Sequence, residues 1–231
     1  PMKSPFAFKQ YGESGIPVSE LFQRTARHVD DMAIIRSMYA EVPNHEPSLM
    51  LMNCGDTQLP RPSVGAWVTY GLGSENDNLP GFLAMCPGGY PIVATRNWRS
   101  SFLPGTYQGT YLNTQHTEID KLIENIKSQQ TGSPIQKKKL ELLVGLNRLH
   151  KTQHNNDDAL DARIKSFEMA YRMQLEAAEA FDLARETQYT LDMYGDSTIG
   201  RQLLLTRRLI ERGVRFIQAW SGAGQPWDNH S

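Results

Sequence analysis

The chain has 231 residues, of which 39% are hydrophobic and 21% are charged, enough for one large domain with a substantial core. Its formal net charge of -1 argues against nucleic acid as the main partner, because binding to phosphate backbones requires a basic surface. No stretch approaches the roughly 20 apolar residues of a membrane-spanning helix. The two cysteines, Cys54 and Cys86, could pair, but two isolated thiols are more often buried and free.

The first forty residues predict an extended segment, a helix and a strand. Residues 1–17 contain Pro, Gly and aromatic side chains without periodicity, which is typical of an extended lead-in. Ser19 is a suitable N-cap for a helix whose apolar residues continue to Val29. The apolar run Met32–Met38 then predicts a buried strand.

A polar turn and a second helix follow this strand. Pro47 suits the first turn of a helix, Asn44 can cap it, and Gly55 is a suitable stop. His45 and Glu46 would therefore lie between the carboxyl end of a strand and the amino end of a helix, where ligands bind in open α/β sheets. The helix dipole favours anions there and keeps a histidine neutral, able to bind metal or accept a proton. The alternative is that Asn44 and Glu46 only cap the helix while His45 packs.

A short helix, a strand and a long loop occupy the next part of the chain. Ser63–Tyr70 has the pattern of a short helix, and the apolar run Gly81–Cys86 predicts another buried strand. From there to about Asn113 the chain is rich in Gly, Pro and aromatic residues, with Ile92–Ala94 as a candidate short strand. A loop of this length inside a compact domain is usually functional or folded on itself.

The long loop contains one candidate substrate-binding group. Arg96, Asn97 and Trp98, followed by Arg99, combine two guanidinium groups with an aromatic face. This combination suits an anion clamp that also stacks on the ligand. The alternative is that the two arginines form surface salt bridges.

Residues 114–194 differ from the rest because they show helical periodicity and no strand signal. We interpret them as a helical insertion or cap within a single, incomplete α/β domain that spans residues 1–231. Ser197 then caps a helix that ends at Gly213, and Val214–Trp220 is a mostly apolar strand. Buried strands that alternate with helices predict an α/β fold, in which a mostly parallel sheet is covered by helices on both faces.

Polar residues follow both the first and the last predicted strand. If these strands run parallel, their carboxyl ends converge, and His45, Glu46, Asp228 and His230 come within reach of one another. Two histidines and two carboxylates are adequate ligands for a divalent ion such as zinc or manganese. The alternative is that Asp228 and His230 are loop residues with no shared site.

Eight segments of the chain resemble a bacterial domain-of-unknown-function family, family 1501. They are SGIPVSELF, IIRSM, PNHEPSLMLMNCG, RPSVGAWVTYGLGSEN, LPGF, FEMAYRMQ, AFDLARE and ERGVRFIQAWSGAGQPWDNH. The similarity covers nearly the whole chain. Members of that family are generally exported, often with twin-arginine signals, and are distantly similar to the alkaline phosphatase and sulfatase superfamily. The resemblance implies a sulfatase-like fold, of which this chain would be about the first half, and an exported, periplasmic or cell-surface location.

The same resemblance implies roles for several residues. Pro47 matches the proline of the sulfatase signature and Gly55 its closing glycine. His45 stands where the nucleophilic cysteine or serine would be, and Leu49 where the arginine would be. Without a hydroxyl or thiol, covalent hydrolysis has no evident nucleophile. His45 could instead act as a base towards a metal-bound water, while Asn44 and the helix amino end steady the anion.

From this resemblance and these residues we expect a metal-dependent hydrolase that acts on phosphate or sulfate esters of small molecules or polysaccharides. Asp228, His230 and His45 would hold a divalent metal, which could be zinc, calcium, magnesium or manganese and which a truncated chain could lack. Asn44 and Glu46 would complete the catalytic group. The alternative is a non-catalytic binding or cell-surface protein, because the expected hydroxyl and arginine are missing. An incomplete sheet would also leave an exposed edge through which the chain could form a homodimer.

Overall fold

The computed structural model describes residues 3–123, 134–153 and 158–226 of the chain. The chain divides into two compact units, Pro1–Glu41 and Val42–Ser231. Among the helices in the described ranges, none is both long enough and apolar enough to cross a membrane, in agreement with the sequence analysis.

The first unit is built on a β-hairpin of strands β1 (Phe8–Tyr11) and β2 (Ile16–Ser19). Asp30 holds the turn between them, because its carboxylate accepts hydrogen bonds from the backbone N–H groups of Glu13 (2.9 Å) and Ser14 (3.2 Å). These hydrogen bonds lower the pKa of Asp30. The hairpin replaces the predicted extended lead-in, because two glycines with positive φ let the chain reverse at the turn.

The helix predicted after Ser19 is also wrong. The chain forms two short 3₁₀ helices, Glu20–Phe22 and Thr25–Asp31, with Ser19 capping the first of them. Ala26 and Val29 are the buried residues of these helices. So small a buried surface does not stabilise a longer α-helix, since most helical stability in proteins comes from packing of an apolar face.

The apolar run Met32–Met38 does not form the predicted strand. Ile34, Ile35 and Met38 are exposed. An apolar run becomes a strand only where a neighbouring strand pairs with its backbone N–H and C=O groups. No strand in the described part of the chain pairs with this run. The predicted strand–turn–helix motif therefore retains only its helix.

A three-stranded parallel sheet organises the second unit. Strands β3 (Phe82–Met85), β4 (Thr110–Leu112) and β5 (Phe216–Ala219) pair in the order β4–β3–β5. The predictions of strands at Gly81–Cys86 and Val214–Trp220 are confirmed, with shorter bounds. Strand β4 was not predicted, because it has only three residues and lies inside the Gly- and Pro-rich loop.

Several helices of the second unit begin where the sequence predicted. The side chains of Ser63 and Ser197 cap two of them by accepting hydrogen bonds from the backbone N–H groups of Ala66 and Gly200. The α-helices are α1 (His45–Cys54), α2 (Val64–Leu72), α3 (Ile119–Leu122), α4 (Pro134–Gln153), α5 (Asp158–Ala180), α6 (Gln188–Tyr194) and α7 (Thr198–Ile210). Shorter 3₁₀ helices cover Ala94–Trp98, Gly105–Tyr107 and Leu183–Arg185.

Both faces of the parallel sheet are buried. On one face, Leu83 and Met85 pack in a core that includes residues of α5 and α7. On the other face, Phe82 packs with Trp98, and α2 approaches so closely that a Cβ at Gly65 would lie 2.5 Å from the Phe82 ring. The prediction of a parallel sheet with helices on both faces is therefore confirmed. The described residues of the 114–194 segment include helices α3, α4, α5 and α6, and the role of this segment as an insertion or cap stays a prediction.

The short strand predicted at Ile92–Ala94 is wrong. Val93 and Ala94 have φ values of 59° and 45°, which belong to the left-handed region and are incompatible with a strand. Pro91, which precedes this segment, forms an isolated parallel bridge with Gly224. The loop thus folds on itself and is tied to the chain that follows β5.

Candidate functional site

The carboxyl ends of β3, β4 and β5 meet at one edge of the sheet, since the three strands run parallel. The backbone N–H of Trp220 donates to the Met85 carbonyl over 2.8 Å, and the Trp220 carbonyl accepts from Gln202 Nε2 over 2.9 Å. Thr114, just beyond β4, donates a short hydrogen bond to Gln202 Oε1. Gln202 is only 2% exposed, so a buried pair of polar side chains joins β4, α7 and the end of β5.

A cavity of about 680 Å³ borders this edge, and we call it the carboxyl-edge cavity. Its volume is in the range of small-molecule sites. Its apolar lining comes from α3, α7 and the chain near Phe181, and its polar lining includes the buried Thr114 and Gln202. The other polar or charged residues that line it are His116, Thr117, Glu118, Asp120, Asp182 and Arg201.

The charged groups of the carboxyl-edge cavity are held in place by neighbours. Arg201 Nη1 donates to the Asp196 carbonyl over 2.6 Å. Glu118 pairs with Lys121 at 3.3 Å, and a backbone N–H together with this lysine lowers the pKa of Glu118. Asp182 accepts from the backbone N–H of Ala184 at 3.1 Å. The lining is therefore a preorganised mixture of charged and apolar groups, which suits a small polar organic molecule.

The predicted catalytic residues lie at the amino end of α1. Asn44 occupies the N-cap position with extended backbone but makes no side-chain cap hydrogen bond. The hydroxyl of Ser48 instead donates to the Val42 carbonyl over 2.5 Å. Asn44, His45 and Glu46 are exposed to solvent. The helix predicted from Asn44, Pro47 and Gly55 is thus confirmed, and the catalytic role of its first residues stays a prediction.

The carboxyl end of α1 contacts the sheet. Gln218 of β5 donates to Asn53 Oδ1 over 2.6 Å, and Asn53 Nδ2 donates to Asn97 Oδ1 over 3.0 Å. His45 lies about 12 Å from Asn53 along the helix axis. The other predicted metal ligands, Asp228 and His230, lie outside the described residues, so their proximity to His45 stays a prediction.

The predicted substrate-binding residues occupy a 3₁₀ helix on the Phe82 side of the sheet. Asn97 is 0% exposed and donates to the carbonyls of Ile92 (2.8 Å) and Ala94 (3.0 Å). Trp98 is 1% exposed, and its ring stacks on that of Tyr111 with an interplanar angle of 7°. Arg96 is exposed. Asn97 and Trp98 therefore hold the loop together in this structure, and a role in substrate binding stays a prediction.

Both cysteines are buried and free, as two isolated thiols in the sequence suggested. Burial raises the pKa of Cys54, with a smaller opposing effect from the Arg99 guanidinium. Burial also raises the pKa of Cys86 to about 11. Since the thiolate is the reactive form, neither residue is activated as a nucleophile at neutral pH.

The sequence carries no signal for the two polar pairs that shape this region. Thr114 and Gln202 are 88 positions apart, and Asn53 and Gln218 are 165 positions apart. Isolated Thr, Asn and Gln residues carry no motif, so only a knowledge of which strands are adjacent could have paired them.

A comparison with protein families identifies the chain along its whole length. The family model described as "Protein of unknown function (DUF1501)" matches residues 1–231. No curated protein and no solved structure matches the chain significantly. This match agrees with the resemblance carried by the eight sequence segments. The chain therefore belongs to the DUF1501 family of proteins of unknown function.

Proposed function

We propose that the protein is a hydrolase-like protein of the alkaline phosphatase and sulfatase type, acting on phosphate or sulfate esters of small molecules or polysaccharides outside the cytoplasm. One observation carries the proposal. A parallel sheet is buried on both faces, and its carboxyl edge borders a cavity of small-molecule size. In open α/β folds, ligands bind at that edge. The resemblance of the chain to the superfamily supplies the reaction class.

Two parts of the second unit have different roles in this proposal. Water attacks the phosphorus or sulfur atom of the ester while His45 accepts its proton, and the bond to the alcohol oxygen breaks, so that the leaving alkoxide takes a proton from solvent. The backbone N–H groups in the first turn of α1 steady the anionic ester oxygens. No residue of α1 is among the described residues that line the carboxyl-edge cavity, so the cavity is a separate candidate position for an organic ligand, which its apolar lining and its buried Thr114–Gln202 pair suit.

The superfamily implies a divalent metal, which would polarise the ester oxygens when bound. Within the described ranges, no group of three His, Cys, Asp or Glu side chains could hold such an ion. Of the predicted ligands, His45 is described, whereas Asp228 and His230 lie outside those ranges. The described residues alone therefore do not form the expected donor set, and no step above is routed through a metal.

The test is hydrolysis of 4-nitrophenyl phosphate and 4-nitrophenyl sulfate by the full chain. We expect the His45→Ala variant to lose about 100-fold or more in turnover, the usual contribution of a general base. We expect the Asp228→Asn variant, which changes a predicted metal ligand, to lose both turnover and bound metal. His28→Ala is the matched control, because His28 is an exposed histidine of the first unit. Ester turnover and metal content that are unchanged in both His45→Ala and Asp228→Asn would refute the proposal.

A non-catalytic binding protein on the same scaffold is the second candidate. It is favoured by His45 and Leu49, which stand where the sulfatase signature has its nucleophile and its arginine. Calorimetry with 1-naphthyl phosphate separates the two candidates. Binding without turnover of any ester, weakened by Arg201→Gln in the carboxyl-edge cavity, would support the binding protein. Turnover that depends on His45 would exclude it.

A further inference from the structure

A second cavity, of about 570 Å³, lies at the opposite end of the sheet, and we call it the amino-edge cavity. Gly81 and Phe82, where β3 begins, line it together with Thr110, where β4 begins. Helix α5 closes it on one side with residues between Lys165 and Met173. The length of the strands, about 10 Å, separates it from the carboxyl edge of the sheet.

One wall of the amino-edge cavity carries a buried donor without a partner. The Arg172 Nε atom is inaccessible to solvent and forms no hydrogen bond within the described structure. A buried polar atom of this kind is rare in native proteins, because desolvation without a hydrogen bond is costly. Because this atom is closed to solvent, an anion in the cavity would bind the outer Nη groups of the Arg172 guanidinium.

The charge of the lining favours an anion over a cation. Lys165 also lines the cavity and lies seven residues before Arg172, which places both on one face of α5 about 10 Å apart. Glu168 is the carboxylate of the lining, so its formal charge is +1. Thr106 and Thr110 add hydroxyl groups that can donate to a bound oxyanion.

The remaining lining is apolar. Phe82, Ile123 and Met173 are buried core residues that border the cavity, and Phe167 and Met169 lie beside them. An apolar surface does not compensate a small inorganic anion for the loss of its hydration shell. It suits an anion that carries an apolar group, because burial of that group contributes hydrophobic free energy.

We propose that the amino-edge cavity binds a small organic monoanion, with its apolar group against Phe82 and Met173 and its charged oxygens on Arg172. Guanidinium groups bind carboxylate, phosphate and sulfate oxygens through charge-assisted hydrogen bonds, which are stronger than neutral ones. The site is distinct from the carboxyl-edge cavity and does not depend on the proposed ester hydrolysis.

The experiment is isothermal titration calorimetry of the full chain with 1-naphthoate, using neutral 1-naphthamide as the matched ligand. For a probe of this size we expect a dissociation constant on the order of 1 mM. We expect the amide to bind at least tenfold more weakly, and Arg172→Gln to weaken naphthoate binding about tenfold or more. Arg185→Gln, which removes an exposed arginine outside the cavity, should leave the affinity unchanged.

The proposal would be overturned by equal binding of acid and amide, by unchanged affinity in Arg172→Gln, or by no binding of naphthoate at a concentration 10 times the expected dissociation constant. Loss of binding in Arg201→Gln but not in Arg172→Gln would place the anion in the carboxyl-edge cavity and would also overturn it. If Arg172→Gln unfolds, as judged by circular dichroism, Ala170→Phe replaces it. This variant fills the cavity and keeps the arginine, so retained affinity would refute the site.

Discussion

Gln218 in β5 donates a 2.6 Å hydrogen bond to Asn53 in α1, and this contact joins the helix that carries His45 to the parallel sheet. Asn53 also donates a hydrogen bond to Asn97. The Asn97 side chain donates to the carbonyls of Ile92 and Ala94, and these bonds stabilise the turn in which Val93 and Ala94 have positive φ. Two consecutive residues with positive φ are strained unless their surroundings fix them. The amide network thus couples a strained turn, a helix and a strand.

The first prediction concerns this network. Asn53→Ala removes the acceptor of Gln218 and the donor to Asn97, so the half-buried Gln218 and the buried Asn97 each lose a hydrogen bond. We expect the free energy of unfolding to fall by about 1 to 3 kcal/mol, measured by urea denaturation. Gln58→Ala, at an exposed position, is the control and should change it by less than about 0.5 kcal/mol. Equal stability of the two variants would show that the network contributes nothing.

The second prediction concerns the ion pairs between Glu186 and α7. Glu186 bonds to Arg208, which is 4% exposed, and to Arg207 at 2.7 Å. Arg208 also donates to the carbonyls of Glu179 and Ala180, so it fastens the end of α5 to α7. Glu186→Gln leaves a buried guanidinium without its counter-charge and should destabilise the chain by about 3 kcal/mol or more.

The control for this variant is Glu211→Gln. Glu211 pairs with the same Arg207 at 3.3 Å but is exposed, so its loss should cost less than about 0.5 kcal/mol. Thermal and urea unfolding of both variants would give the comparison. A Glu186→Gln variant as stable as Glu211→Gln would contradict the assignment of Glu186 as a buried ion-pair partner.

The third prediction is a pH dependence. Hydrogen bonds from Arg208 and Arg207 lower the pKa of Glu186 in the folded state below its unfolded value. Because its pKa is lowered by folding, ionised Glu186 contributes its full stabilisation above the pKa it has in the unfolded chain, about 4.3. This stabilisation is lost as the pH falls through the pKa of Glu186 in the folded chain. The stability difference between wild type and Glu186→Gln should therefore be constant above about pH 5 and shrink at lower pH. A difference that does not depend on pH down to pH 2 would contradict it.

The fourth prediction concerns thiol reactivity. Cys54 and Cys86 are buried, and burial raises the pKa of each. With a pKa of about 11, the thiolate fraction of Cys86 at pH 8 is on the order of 0.1%. Titration with Ellman's reagent at pH 8 should detect two thiols rapidly in denaturant and almost none within minutes in the folded chain. Fast reaction of either thiol in the native state would show that it is accessible.

The candidate site was predictable only in part. Local sequence signals predict that α1 begins near His45. They do not indicate whether that end of the helix contacts the sheet. The polar contacts of α1 with the sheet are made through Asn53, about 12 Å further along the axis. Asn97 and Trp98 were singled out for their chemistry, yet both are buried, and their hydrogen bonds and ring stacking hold the loop.

The sequence by itself determined the elements whose signals are local. Ser63 and Ser197 cap their helices through hydrogen bonds that span three residues, and the apolar runs around Leu83 and Ile217 are strands. Tertiary structure decided the rest. The run Met32–Met38 is as apolar as those strands but has no pairing partner in the described part of the chain. A strand needs backbone partners from elsewhere in the chain, and a buried polar side chain needs a partner across the fold, so neither can be determined from neighbouring residues alone.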